Sequence, residues 1–195
     1  MSLEFNRRSF LKYSAAAAVA VAGSSLLVGC GEDEYQKTGK IGSTLKLMGT
    51  FKTYKTTDGT KYAPTYEAGT SGARNTFKCT INIECTTKKV PLYVNSECFE
   101  LTVRPGKSET NYAGKTVSVD YPEFDLSSDD GAKDFTVTVT DTADKPFNFA
   151  DGDVVEFKYW PRIQASSGNS GYTRAFCTWK MTARVDSNTH KVTFE

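Results

Sequence analysis

The chain runs to 195 residues, and its 24 basic and 23 acidic side chains leave a net charge of +1. That balance excludes the basic excess with which nucleic-acid-binding domains meet phosphate. A single histidine, His190, excludes a blue-copper centre, which needs two histidines with a cysteine, and leaves a Ser-His-Asp triad only one residue to be built on.

The first stretch with a message is Asn6-Arg7-Arg8-Ser9-Phe10-Leu11-Lys12. It resembles the twin-arginine export signal, with Arg7, Arg8, Phe10 and Leu11 at that signal's positions and Asn6 where Ser or Thr is usual. Ser14 to Gly29 is rich in Ala and Val, broken by Gly23, Ser24 and Ser25. It falls short of the roughly 20 apolar residues that span a bilayer, so it reads as a removable leader. Leu27-Val28-Gly29-Cys30 resembles a lipobox, in which the thiol of the Cys takes a diacylglyceryl group and the leader is cut just before it. The resemblance implies a signal peptide over residues 1–29, a lipidated Cys30 and two acyl chains, enough for stable anchoring outside the cytoplasmic membrane. It also implies that the rest of the chain folds in the cytoplasm, because the twin-arginine route passes folded proteins.

Without Arg7, Arg8, Lys12 and Glu4 of the leader the net charge becomes −1. Residues 30–43 are polar and carry no apolar stripe, so they are expected to form a flexible tether. The domain is then expected over residues 44–195, a length that buries a sizeable core.

Thr44 to Lys55 presents Leu45, Leu47, Phe51 and Tyr54, a first strand with an irregularity at Gly49. A long Thr- and Gly-rich connection follows, with a short strand around Tyr62 to Tyr66. Phe77, Cys79, Ile81, Ile83 and Cys85 alternate with polar residues, the pattern of a half-buried strand. After a polar turn, Val90 to Val94 returns, with Pro91 pointing to an edge or a bulge. Phe99, Leu101 and Val103 alternate and stop at Arg104-Pro105-Gly106. Thr116 to Tyr121 is a further strand, Pro122 to Lys133 an acidic loop, and Phe135 to Val139 another strand. Asp151-Gly152-Asp153 launches Val154 to Trp160. The last long strand, Ala175 to Val185, places Ala175, Cys177, Trp179, Met181, Ala183 and Val185 on one face, and Val192 and Phe194 follow. Short strands separated by turn signals, with no helical period after the leader, predict an all-β antiparallel sandwich.

The segment from Phe77 to Val103 resembles the telokin-like, immunoglobulin-like domain of bacterial surface lipoproteins. Ile81, Ile83, Lys89, Pro91, Phe99, Leu101 and Gly106 stand at the matching positions. The resemblance implies an immunoglobulin-like fold for the sandwich.

Four cysteines lie beyond Cys30: Cys79, Cys85, Cys98 and Cys177. Six residues of strand, at about 3.3 Å each, hold Cys79 and Cys85 too far apart for one bridge. Cys79–Cys98 with Cys85–Cys177, or Cys79–Cys177 with Cys85–Cys98, remain, and the alternative is four buried thiols acting as small apolar side chains. Their gaps do not match a structural zinc site, so no metal and no cofactor is expected.

Carboxylates are the remaining candidates for catalysis: Asp129, Asp130 and Asp134 in one region, Asp151 and Asp153 in another. A hydrolase needs two of them facing across a cleft, whereas turns use Asp for local hydrogen bonds. The candidate binding loop is Trp160 and Arg162 facing Tyr172 and Arg174 across a Ser- and Gly-rich tip, the composition of binding loops. The expectation is therefore not an enzyme but a cell-surface binding module, held to the membrane through its lipid and meeting an unknown protein or glycan. An accessory subunit of an exported redox or transport complex is the alternative, and a carboxylate-dependent hydrolase stands third.

Overall fold

The computed structural model describes residues 36–47, 51–54, 63–86, 88, 91–164, 170–172 and 175–195, with the side chains of 47, 51–54, 164 and 170–172 outside that description. All of these residues belong to one compact unit, Glu32–Glu195. The first eight strands are β1 (Gln36–Lys40), β2 (Leu45–Leu47), β3 (Phe51–Tyr54), β4 (Thr65–Glu67), β5 (Thr76–Cys85), β6 (Leu92–Asn95), β7 (Phe99–Val103) and β8 (Thr110–Ala113). Then come β9 (Val117–Val119), β10 (Glu123–Leu126), β11 (Ala132–Thr140), β12 (Val154–Tyr159), β13 (Arg162–Gln164), β14 (Ser170–Tyr172), β15 (Phe176–Val185) and β16 (Val192–Phe194). Among the described residues the only helical elements are three short 3-10 turns.

Two sheets pack face to face. One has the order β1-β15-β12-β7-β8, with β16 also on β15; the other has β2-β3-β5-β11-β9, with β4 also on β5. Every pairing is antiparallel except β1 with β15. The expected all-β antiparallel sandwich is what the chain forms. Its core is the product of period-two alternation: Phe77, Cys79, Ile81, Ile83 and Cys85 of β5 face Leu101, Val155, Phe157, Cys177, Trp179 and Met181 across the interior, all of them buried. Burial of each large apolar side chain contributes on the order of 2 kcal/mol.

A third sheet, β10-β6-β13-β14, continues the first beyond a bend. Three of its strands run on into the first sheet: β6 into β7, β12 into β13, and β14 into β15. The bend has local causes. Asn95 caps the 3-10 turn Ser96–Cys98 by accepting from the Glu97 amide. Pro161 brings no N–H to the ladder. The Trp160 amide donates to the Cys98 carbonyl at 2.7 Å and ties the two interruptions together.

Three expectations are corrected. The tether expected over residues 30–43 holds a strand from Gln36 onward: β1 runs parallel to β15 in the register Gln36 to Phe176 and Lys40 to Lys180. Its alternation lacks an apolar face because β1 lies at a sheet edge and is held by the backbone ladder. Gly39 is required there, since a Cβ would collide with the Ser43 hydroxyl and the Leu45 side chain. Second, the expected loop Pro122 to Lys133 contains β10, whose alternation Glu123-Phe124-Asp125-Leu126 covers only four residues among turn-forming neighbours and whose pairing with β6 is long-range. Third, Pro91 marks no edge: it precedes β6, which lies between β10 and β13.

The exposed flank of β15 is closed twice. β1 covers Phe176 to Lys180, and β16 covers Ala183 to Val185. Between them the Lys180 carbonyl accepts from Ile41, and Thr182 exchanges both backbone hydrogen bonds with Glu195. This ten-residue strand thus offers little edge for another chain to pair with.

Candidate functional site

The third sheet carries the expected binding residues. Register places Asp125 opposite Tyr93, Tyr93 opposite Arg162, and Arg162 opposite Tyr172. Four strands thus contribute one residue each to a single cross-strand row. The alternation of β6, with Leu92 and Val94 buried and Tyr93 and Asn95 half-buried, puts Tyr93 on the outer face. Arg174, and the side chain of Tyr172, lie outside the described residues.

Arg162 is not an outward-reaching cation. It is buried, donates to the Glu97 carboxylate and, at 3.4 Å, to Asn95 Oδ1, and its guanidinium carbon lies 5.8 Å from the Tyr93 ring centre. The expectation that Arg162 contacts a ligand directly is therefore replaced by a positioning role, fastening β13 to the 3-10 turn. Burial against the sheet, and then the hydrogen bond its hydroxyl donates to Glu123, raise the Tyr93 phenol above its ordinary value.

Trp160 sits half-buried at the bend, edge-on to Phe176 with ring centres 5.5 Å apart. The Lys158 ammonium lies 5.0 Å from the Trp160 ring centre and 5.3 Å from that of Phe176, and reaches Glu100 Oε1 at 3.4 Å. A second cluster of the same kind stands beside β10. There Lys133 Nζ lies 5.0 Å from the Tyr121 ring centre and 4.5 Å from that of Phe124. Sequence reasoning missed this cluster because Tyr121, Phe124 and Lys133 fell in or beside a presumed loop. The two lysines stand on different strands and share no motif.

The four cysteines are buried thiols, and neither expected pairing is made. Cys79 lines a cleft with Ile41, Ile81, Phe157 and Trp179 that encloses about 10 Å³, the room of one water molecule. Cys85, Cys98 and Cys177 surround the buried Tyr159. Burial pushes the Cys98 thiol up to about 11. Burial, and then the neighbouring thiols, push the Tyr159 phenol well above its ordinary value, and its hydroxyl makes no hydrogen bond to the protein. A thiol so shielded is a poor nucleophile.

The carboxylates are occupied locally. Asp130 accepts from the Ser127 amide and hydroxyl at 2.7 and 2.6 Å, and Asp134 accepts from Asn82 at 2.7 Å. Asp153 accepts from Arg104 and the Ala150 amide at 2.8 Å each, and Asp151 accepts from the Val185 amide at 3.1 Å. The first group precedes or begins β11, where Ala132 faces Glu84; the second lies against Ala183 and Val185, at the far end of β15. The structure does not bring the two groups across one cleft. His190, with φ of 54°, stands in the exposed turn after β15, its amide bonded to the Asp186 carbonyl. Among the described residues no cluster of His, Cys, Asp and Glu is arranged to hold a metal ion.

Cys30, the expected lipidation residue, and Arg7, Arg8, Phe10 and Leu11, the expected export residues, lie outside the described residues. No curated protein and no solved structure matches the chain. Residues 4–24 match the TAT (twin-arginine translocation) pathway signal sequence, a segment that includes both arginines, so the chain carries a signal for export from the cytoplasm.

Proposed function

We propose that the exported chain is a lipid-anchored interaction module at the cell surface, built on an immunoglobulin-like sandwich and held by Cys30. Leu27-Val28-Gly29-Cys30 follows two residues after the matched signal segment, which is where a lipidation site belongs. The strand order supports the immunoglobulin-like reading: β3-β5-β11-β9 faces β8-β7-β12-β15, with β1 parallel to β15, an arrangement of the ABED and CFG type.

The observation that carries the interaction role is the third sheet. A sandwich needs only two sheets to bury its core. The chain spends β6, β10, β13 and β14 on an extension whose backbone register aligns Asp125, Tyr93, Arg162 and Tyr172 in one row, with Asp125 exposed and Tyr93 half-buried. Beside it Trp160 and Tyr121 offer aromatic surface of the kind enriched at interfaces.

Native mass of the protein, extracted from its own membrane in mild detergent, tests this reading. The lipidated chain alone is the expected species. A stoichiometric protein partner would instead make the chain an accessory subunit of an exported complex, a role that also suits a route carrying folded cargo.

A further inference from the structure

We propose that the end of the sandwich bearing Trp160 and the β13–β14 hairpin faces the bilayer, with phospholipid headgroups as its partner. The inference rests on the reading of Cys30 as the lipidated residue.

Chain length sets the first constraint. Gln36, the first residue of β1, follows Cys30 by six positions, and six residues span about 20 Å at full extension. The register sets the second. Gln36 lies opposite Phe176, the first residue of β15, and both strands run the same way. The chain therefore enters the domain where β15 leaves the third sheet. The other end of β15, Val185, is nine residues farther along, or about 30 Å. A domain standing on its Val185 end would hold Gln36 about 30 Å from the membrane, beyond the reach of the tether. The hairpin end is the one a short tether keeps close.

The composition of that end fits the same partner. Lys158 lies over Trp160 and Phe176, and Lys133 over Tyr121 and Phe124. Tyr121 is among the most exposed large apolar side chains described, at 41%. Phe124 belongs to the third sheet, and Phe176 stands at its junction with the first. Aromatic rings with one polar edge, and lysines set among such rings, are side chains of the membrane–water interface. At the opposite end the turns Asp151–Gly152 and Asp186–His190 are polar and exposed, with Val154 exposed beside them, while the hairpin end also exposes Glu123, Asp125, Asp129 and Asp130 around its rings.

The chain has two tryptophans, Trp160 and the buried Trp179, which makes the test direct. The lipidated protein is reconstituted in phosphatidylcholine–phosphatidylglycerol vesicles holding a lipid spin-labelled at its headgroup. Tryptophan quenching is compared between the parent and a Trp160→Phe, Asn188→Trp variant, which moves the reporting indole to the turn after β15. Quenching at least twofold greater in the parent is expected. Equal quenching in both, or greater quenching in the variant, overturns the orientation. The mass of the N-terminal peptide separates the two ways of failing. A diacylglyceryl-bearing Cys30 with unquenched Trp160 refutes the orientation alone, and an unmodified Cys30 refutes the anchor and the orientation together.

Discussion

The indole N–H of Trp179 donates to the carbonyl of Ser43 at 2.9 Å. This bond joins the middle of β15 to the turn that follows β1, and it makes residues 36–43 part of the folded domain.

A chain beginning at Thr44 is therefore expected to be less stable than one beginning at Gly31. It loses the β1 ladder on β15 and the Ser43 acceptor, and it exposes one side of Trp179. A hydrogen bond contributes about 1 kcal/mol and burial of an aromatic side chain more, so a loss of roughly 3 kcal/mol is expected. The urea midpoint measures it at constant slope. An unchanged midpoint would return residues 36–43 to the status of a tether.

Asp141 is buried and gathers three donors: the Asn75 amide at 3.1 Å, Asn75 Nδ2 at 2.6 Å and the Phe147 amide at 3.0 Å. It fastens the start of β5 to the segment after β11. Asp141→Ala would strand these donors and cost about 3 kcal/mol, while Asp141→Asn, which keeps a carbonyl acceptor, would cost less. Thermal or urea unfolding of the two variants checks the order.

Tyr159 presents the opposite case. Its hydroxyl is buried and bonded to no protein group. Tyr159→Phe removes a desolvated polar atom at nearly constant volume, so stability is expected to stay level or rise by about 1 kcal/mol. A loss beyond 2 kcal/mol, on the order of a stranded buried partner, would show that the hydroxyl is bonded after all.

The thiols give a pH prediction. Folding raises Cys98 from 9.0 to about 11. A raised folded value gives stability that is complete below the unfolded value and is lost as pH rises through the folded one. Stability should therefore fall between pH 9.0 and about 11, and less so in Cys98→Ala. In the same molecule Cys79, Cys85, Cys98 and Cys177 should resist iodoacetamide when native and all react in guanidinium chloride, as read by mass.

On the acid side, Asp130 is held below its ordinary 3.8 mainly by the hydrogen bond from the Ser127 hydroxyl. A depressed folded value contributes stability above 3.8 that is lost as pH falls below it. Ser127→Ala should raise the Asp130 titration seen by NMR and flatten that limb. An unmoved Asp130 would refute the assignment.

The parts of the fold that sequence makes legible are those where one face alone is buried. Phe77 to Cys85, Phe135 to Val139 and Ala175 to Val185 alternate as written, and the structure buries the faces so identified apart from the half-buried Val185. β1 left no such trace, and β10 alternates over only four residues, too few to stand out; both are edge strands set by pairing with distant residues. The candidate site was half legible. Backbone register does set Arg162 opposite Tyr172, two residues after Trp160, but Arg162 turns inward to Glu97. Lys133, Tyr121 and Phe124 come together only when β10 and β11 are placed in space.

Attachment to the membrane is measured most directly by the mass of the N-terminal peptide of chain recovered from membranes. A peptide that begins at Cys30 and carries a diacylglyceryl group on its sulfur is the expected result. A peptide that begins elsewhere, or a Cys30 with a bare thiol, would contradict the lipid anchor and the surface role built on it.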